Sequence, residues 1–175
     1  RDVNMKVSEI FEVLDIENAT NYHRDIRVEN SIKQNKELFS TMSKLRGYSF
    51  TIDDKIYGVY HFSRLGHFEI HFYDGVAASS DLVKSNTSKY SLKVYSTVFK
   101  ILFDQLENIG HSIYIGYGND TMKKIYIKLI NHAFKKFNLT KQFNETLEFG
   151  LLPEGINCII IKHKQMMEHC LTKLI

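Results

Sequence analysis

At Gly47 the hydrophobic period of this chain changes from 3.6 residues to 2, and any fold the chain adopts must accommodate that switch. Three alternating runs follow the glycine: Tyr48 to Ile52, Ile56 to Phe62 and Phe68 to Tyr73. Asp53-Asp54 separates the first two, a loop through Arg64 and Gly66 separates the next two, and Asp74-Gly75 closes the third. Such spacing predicts an antiparallel meander. The expected register sets Phe62 opposite Phe68, Tyr60 opposite Ile70 and His61 opposite Glu69. Tyr60, Phe62, Phe68, Ile70 and Phe72 would then form one core layer.

Helical periods flank the meander. Val7, Ile10, Phe11 and Leu14 predict a helix over about Met5 to Ile16, and Asp15 to Arg27 reads as a polar connection. Ile32, Leu38, Phe39, Met42 and Leu45 predict a second helix over about Asn30 to Leu45. After the meander, Ala77 to Tyr90 is serine-rich and reads as a long surface loop. A helix is then expected over Ser91 to Glu107, with Leu92, Tyr95, Val98, Phe99, Leu102 and Leu106 inward. Ser112 to Gly116 reads as a short buried strand, and Asn119 or Asp120 can cap a helix over Thr121 to Phe137. Strands over Thr146 to Phe149 and Asn157 to Lys162 flank Pro153-Glu154-Gly155, and a last helix covers Gln165 to Leu174.

With 175 residues, 43% of them hydrophobic, and Pro153 as the lone proline, the pattern describes one α+β domain rather than two joined by a linker. A net charge of +3 permits an acidic partner without demanding one. Cys158 lies inside the apolar run Ile156 to Ile161 and is expected to be a buried free thiol rather than the disulfide partner of Cys170. No stretch of 18 apolar residues and no signal peptide occur, so a reducing cytoplasm is the expected compartment. Arg1 to Asn4 are expected to be a cloning remnant, with Met5 the natural start. There is no P-loop, Rossmann fingerprint, Gly-x-Ser-x-Gly or Cys-x-x-Cys.

The order of elements (helix, helix, three meander strands, helix, strand, helix, strand, strand) resembles that of the GNAT acetyltransferases. The likeness is sharpest at Ser112 to Gly116 followed by Asn119-Asp120-Thr121-Met122-Lys123-Lys124-Ile125-Tyr126, where a tyrosine stands seven positions after an asparagine. The resemblance implies a GNAT-like fold over about 130 residues. It implies Tyr126 as the acid that protonates a departing coenzyme A thiolate, Asn119 beside the cofactor, and Glu69 as a base. The family's glycine-rich pyrophosphate loop would fall between Gly75 and Ser91, where Gly75 is the only glycine.

A narrower resemblance links Lys93-Val94-Tyr95-Ser96-Thr97-Val98, a strand, and Lys124-Ile125-Tyr126 to small proteins of tailed, T-even type bacteriophages. The high Lys, Asn and Ile content suits an AT-rich genome of that kind. Small early proteins of such phages bind host machinery and redirect it, in one instance by acting on RNA polymerase and DNA.

Two constellations stand outside these resemblances. Lys124, Lys128 and Lys135 fall within roughly 40° of one another on a helical wheel, with Asn131 beside them and Lys136 at the edge. They form either a solvated face or a contact stripe for an acidic protein surface or nucleic acid. His61, Glu69 and His71 would share a strand face in the expected register, as a polar patch or a weak metal or proton-transfer set. His23, His67, His111, His132, His163 and His169 are expected at the surface.

The resulting expectation is a non-enzymatic phage protein of GNAT-like fold in the host cytoplasm, needing no cofactor or metal. Its partner would be a host protein of the transcription apparatus (RNA polymerase) or of a defence system, with nucleic acid as a further candidate. Lys124, Lys128, Asn131, Lys135 and Lys136 would carry the contact, together with the loop Ala77 to Tyr90. The alternatives are an acetyl-CoA-dependent N-acetyltransferase with a non-standard cofactor loop, working through Tyr126, Glu69 and Asn119, and a structural virion component.

Overall fold

The computed structural model describes residues 19–77 and 90–164. Three strands form the meander: β2 (Ser43–Ile52), β3 (Lys55–Arg64) and β4 (His67–Asp74). Both hairpins close in two residues. Asp53 and Asp54 sit at φ 50° and 64°, and Leu65 and Gly66 at 51° and 77°. Left-handed backbone at both central positions matches the twist of the flanking strands, which is why two residues suffice. Leu65 bears the cost of that conformation, about 1 kcal/mol for a residue with a Cβ, at a tip where it is 83% exposed.

The helix expected over Asn30 to Leu45 is a correction. The chain forms α1 (Ile26–Lys33) and α2 (Lys36–Phe39), and β2 begins at Ser43. Asn35 breaks the helical run because its side chain accepts from Leu38 N–H and so caps a new helix. Asp25 caps α1 in the same way through Arg27 N–H. Leu45 belongs to the strand: a bulge between Ser43 and Arg46, with Lys44 at φ 55°, turns it inward.

A two-residue edge strand, β1 (His23–Arg24), pairs with β2. After α3 (Leu92–Asp104) come β5 (Ser112–Gly116), α4 (Asp120–Lys136), β6 (Glu148–Leu151) and β7 (Asn157–Ile161). The seven strands make one sheet in the order β1-β2-β3-β4-β5-β7-β6, and every pairing is antiparallel except β4 with β5. The result is an α+β architecture with four helices on a mostly antiparallel sheet.

The expected meander register is off by one residue. Phe62 faces Glu69, Tyr60 faces His71 and His61 faces Ile70. A slip of one residue exchanges the two faces of a strand, so the single aromatic layer is really two. Val59, Phe68, Ile70, Ile113, Ile115, Ile159 and Ile161 pack beneath α3 and α4 in the larger core. Tyr60, Phe62 and Tyr73 point the other way and pack with Val28 and Ile32 of α1. Gly47 permits that second layer: a Cβ there would stand 2.9 Å from Cβ of Val28. The helices expected over Met5 to Ile16 and Gln165 to Leu174, and most of the loop Ala77 to Tyr90, lie outside the described residues.

Candidate functional site

The parallel pairing of β4 with β5 runs only from His67–Ser112 to Ile70–Ile115. Beyond it β4 continues to Asp74, whereas β5 ends at Gly116 and the next amide, Tyr117 N–H, donates to Asn157 O of β7. The strands therefore part, and a cleft opens between them. Ile70 and Phe72 of β4, Val98 and Leu102 of α3 and Met122 of α4 give it apolar walls. His71, Tyr126 and the backbone turn Gly116-Tyr117-Gly118 also line it.

Tyr126 reaches this cleft from the buried stripe of α4. It is 1% exposed and packs against the rings of Tyr95 and Phe99. Its hydroxyl makes no hydrogen bond among the described residues. It is the hydroxyl that the buried stripe of α4 brings to the cleft wall. Burial, reinforced by Tyr95 and Tyr90, raises its pKa well above the ordinary value. The group is thus a neutral O–H at physiological pH. Asn119 caps α4: its side-chain oxygen accepts from Met122 N–H at 2.9 Å.

Glu69 lies on the opposite face of β4 from Ile70 and is fully buried. Arg64 Nε donates to one of its oxygens, and Arg64 Nη2 donates to the other at 2.9 Å. His67 Nε2 donates to it at 2.8 Å and His71 Nε2 at 3.1 Å. Burial alone would push this carboxyl up. The donors His67, His71 and Arg64 outweigh burial and hold it well below the usual carboxylate range. Arg64 also binds Glu154 of the β6–β7 turn at 2.6 Å. Both imidazoles are fixed by ring contacts: His67 stacks on Tyr114 at 3.9 Å, and His71 stacks on Tyr60 and Phe62 at 5.2 and 5.7 Å.

The proposed triad of His61, Glu69 and His71 does not form. In the observed register His61 faces the α3–α4 side, hydrogen-bonded to Tyr48 Oη at 3.0 Å. His67 and His163, expected at the surface, are buried. Among the described residues no three His, Cys, Asp or Glu side chains converge in the way a metal ion requires. Cys158 is the buried free thiol its apolar run implied, and burial, helped by the charge of Glu69, pushes it up to about 11.

Along α4, Lys124, Asn131, Lys135 and Lys136 are exposed and Lys128 is half-buried. Lys124, Lys128 and Lys135 form no ion pair among the described residues. The segment 93–98 is chiefly packing. Val94, Tyr95 and Val98 are buried, and Thr97 Oγ1 accepts from Thr20 N–H and donates to Lys93 O.

Arg64, His67 and Glu154 were not foreseen as site residues. The first two follow from the true hairpin register, which pairs Arg64 with His67 and Phe62 with Glu69 on one face. Glu154 comes from a turn 90 positions away from Arg64 and leaves no local signal. No helix among the described residues is long and apolar enough to cross a membrane. No family model, curated protein or solved structure matches this chain.

Proposed function

We propose that this chain is a GNAT-like domain whose working site is the cleft between β4 and β5, and that the cleft takes an acyl thioester of the acetyl-CoA type for transfer to an amine. The carrying observation is the Tyr126 side chain on the cleft wall, with a hydroxyl that makes no hydrogen bond among the described residues. A thioester carries an apolar acyl group and a sulfur that must accept a proton on leaving. An apolar cleft holding one neutral O–H suits both needs. The strand order and the parallel β4–β5 pair agree with the GNAT-like element order. The fit is partial. The interval from Gly75 to Ser91 holds one glycine, so no glycine-rich turn is available to cradle a pyrophosphate. Affinity would come from the cleft rather than from phosphate contacts. Calorimetric titration with acetyl-CoA and CoA tests the proposal. Saturable binding that weakens on Ile115→Trp, which fills the cleft, supports it, and no heat at millimolar ligand rejects it.

A second reading rests on a different surface. Lys124, Lys128 and Lys135 project from α4 without an ion-pair partner among the described residues, with Asn131 and Lys136 beside them. That stripe suits an acidic patch on a host transcription or defence protein, or a phosphate backbone, as in a phage effector that binds rather than turns over. Charge reversal at the three lysines should abolish capture of such a partner and leave acetyl-CoA binding intact. The two readings are separable by that contrast.

A further inference from the structure

Resting on the acyl-transfer reading of the cleft, we propose that His71, and not Glu69, is the proton acceptor of this site, with Glu69 as the residue that positions it. Glu69 cannot serve. Its two oxygens already accept from Arg64, His67 and His71, and it is wholly buried. Protonating it would remove one of the two carboxylates that pair with the Arg64 guanidinium, itself 4% exposed.

His71 has the opposite character. A carboxylate only accepts, so the Nε2 that binds Glu69 must carry the ring proton, and Nδ1 is left with its lone pair. Nδ1 makes no hydrogen bond among the described residues, and the side chain is 20% exposed. Stacking on Tyr60 and Phe62 holds the ring plane, and the carboxylate fixes the tautomer, leaving the Nδ1 lone pair free to accept. The other candidates lack one or more of these features. His67 has its Nε2 on Glu69 but is enclosed against Tyr114 and does not line the cleft. His61 and Cys158 also lie away from it.

His71 lines the cleft from the α1 face of the sheet and Tyr126 from the α4 face, so a thioester lying between the parted strands would meet an acceptor on one side and a donor on the other. As an amine nitrogen bonds to the thioester carbonyl carbon, its N–H proton passes to Nδ1 of His71. As the carbon–sulfur bond breaks, the electron pair goes to sulfur, which takes the phenolic proton of Tyr126. Solvent then carries the proton from His71 back to Tyr126, and the sum is thioester plus amine to amide plus thiol.

The test uses p-nitrophenyl acetate, a small activated ester that needs no coenzyme grip, followed from pH 5 to 9. The titratable and charged groups gathered around His71 are Arg64 and Tyr60 on β3, Glu69 and His67 on β4, and Glu154 on the β6–β7 turn. His71→Gln, which keeps a donor toward Glu69, should lower the protein-dependent rate by at least about a hundredfold, the low end for a general base, with an unchanged thermal midpoint. Glu69→Gln should move the midpoint of the rate profile to lower pH, a shift that a purely structural carboxylate would not produce. A wild-type rate in His71→Gln, or an unmoved midpoint in Glu69→Gln, overturns the proposal. Should Glu69→Gln fail to fold, imidazole ¹⁵N spectra of the wild-type protein decide instead. Nδ1 of His71 must be unprotonated at pH 8 and titrate with the midpoint of the rate, and a protonated Nδ1 there overturns the proposal. Calorimetry with acetyl-CoA runs in parallel. His71-dependent hydrolysis without acetyl-CoA binding would leave the acceptor in place and remove the thioester reading.

Discussion

Replacing Arg64 by Met should be among the most damaging single changes in the described part of the chain. The guanidinium contacts Glu69 through Nε and Nη2 and Glu154 through Nη1 and Nη2, while Arg64 and Glu69 side chains are 4% and 0% exposed. Met fills a similar volume but leaves the Glu69 charge in the interior with only two imidazole donors. Removing one partner of a buried pair costs about 3–5 kcal/mol. For a chain of this length each kcal/mol moves the thermal midpoint by about 2–4 °C, so a fall of roughly 6–20 °C is expected. Arg64→Met/Glu69→Leu removes the stranded charge and should recover at least half of the loss. Circular dichroism melts and urea titrations at pH 7 measure both variants. The sign with pH follows from Glu69, whose folded carboxyl is held below its unfolded value of about 4.3. Its stabilisation is present above that value and is lost as pH falls through the folded one. A loss under about 1 kcal/mol for Arg64→Met, or a double variant no more stable than the single, would refute the account of the cluster as a mutually dependent buried pair.

Other outcomes follow from single residues. Tyr126→Phe deletes a hydroxyl that bonds nothing among the described residues, so urea unfolding should change by less than about 0.5 kcal/mol, whereas Tyr126→Ala should cost about 3–5; a large loss for Phe would mean that the hydroxyl has a structural partner. Burial, then Arg46 and Arg24, lower His61 to about 4. The unfolded chain therefore binds more protons between that value and about 6.5, so stability rises with pH across this window and is lost as pH falls through it, by roughly 3 kcal/mol. His61→Gln should flatten the slope measured by urea unfolding at pH 4 to 6.5, and an unaltered slope would assign it elsewhere. Cys158, pushed up to about 11 and fully enclosed, should react with Ellman's reagent only as fast as the protein opens, measured in a Cys170→Ser background. Labelling at the rate of a free thiol contradicts its placement.

What the sequence revealed depended on how local the deciding interaction was. The strands of the meander were legible from period 2, and α4 from the clean stripe Met122, Ile125, Tyr126, Leu129, Ile130, Ala133. The register was not, because β3 is apolar on both faces: Tyr57 and Val59 serve the larger core, Tyr60 and Phe62 the smaller. Alternation cannot choose between two buried faces, so the choice fell to the turn. A two-residue turn at Leu65-Gly66 with a leucine in left-handed backbone runs against local preference. The run from Asn30 to Leu45 misled for a related reason, since Asn35 and Ser43 could serve helix interior or boundary and tertiary pairing decided. The exposed lysines of α4 were readable at once. The Arg64–Glu69–His71 cluster needed the register first, and the cleft needed a parallel pairing that no short stretch of sequence encodes.

That pairing has a consequence for how the molecule comes apart. Strands β1 to β4 each lie beside their sequence neighbour, and β5 to β7 form a second set; among the described residues four residue pairs, from His67–Ser112 to Ile70–Ile115, are the only backbone ladder joining them. Parallel closure across the long excursion through α3 is entropically late and its gain per residue is small. The backbone of the sheet is therefore two sets of neighbouring strands joined by a short seam. Sub-global opening should begin there, with the amide of Tyr114, which the alternation from Tyr117 N–H on Asn157 O turns toward β4, losing protection before those of β3, and the half-sheets each holding together while the interior between them is briefly wet.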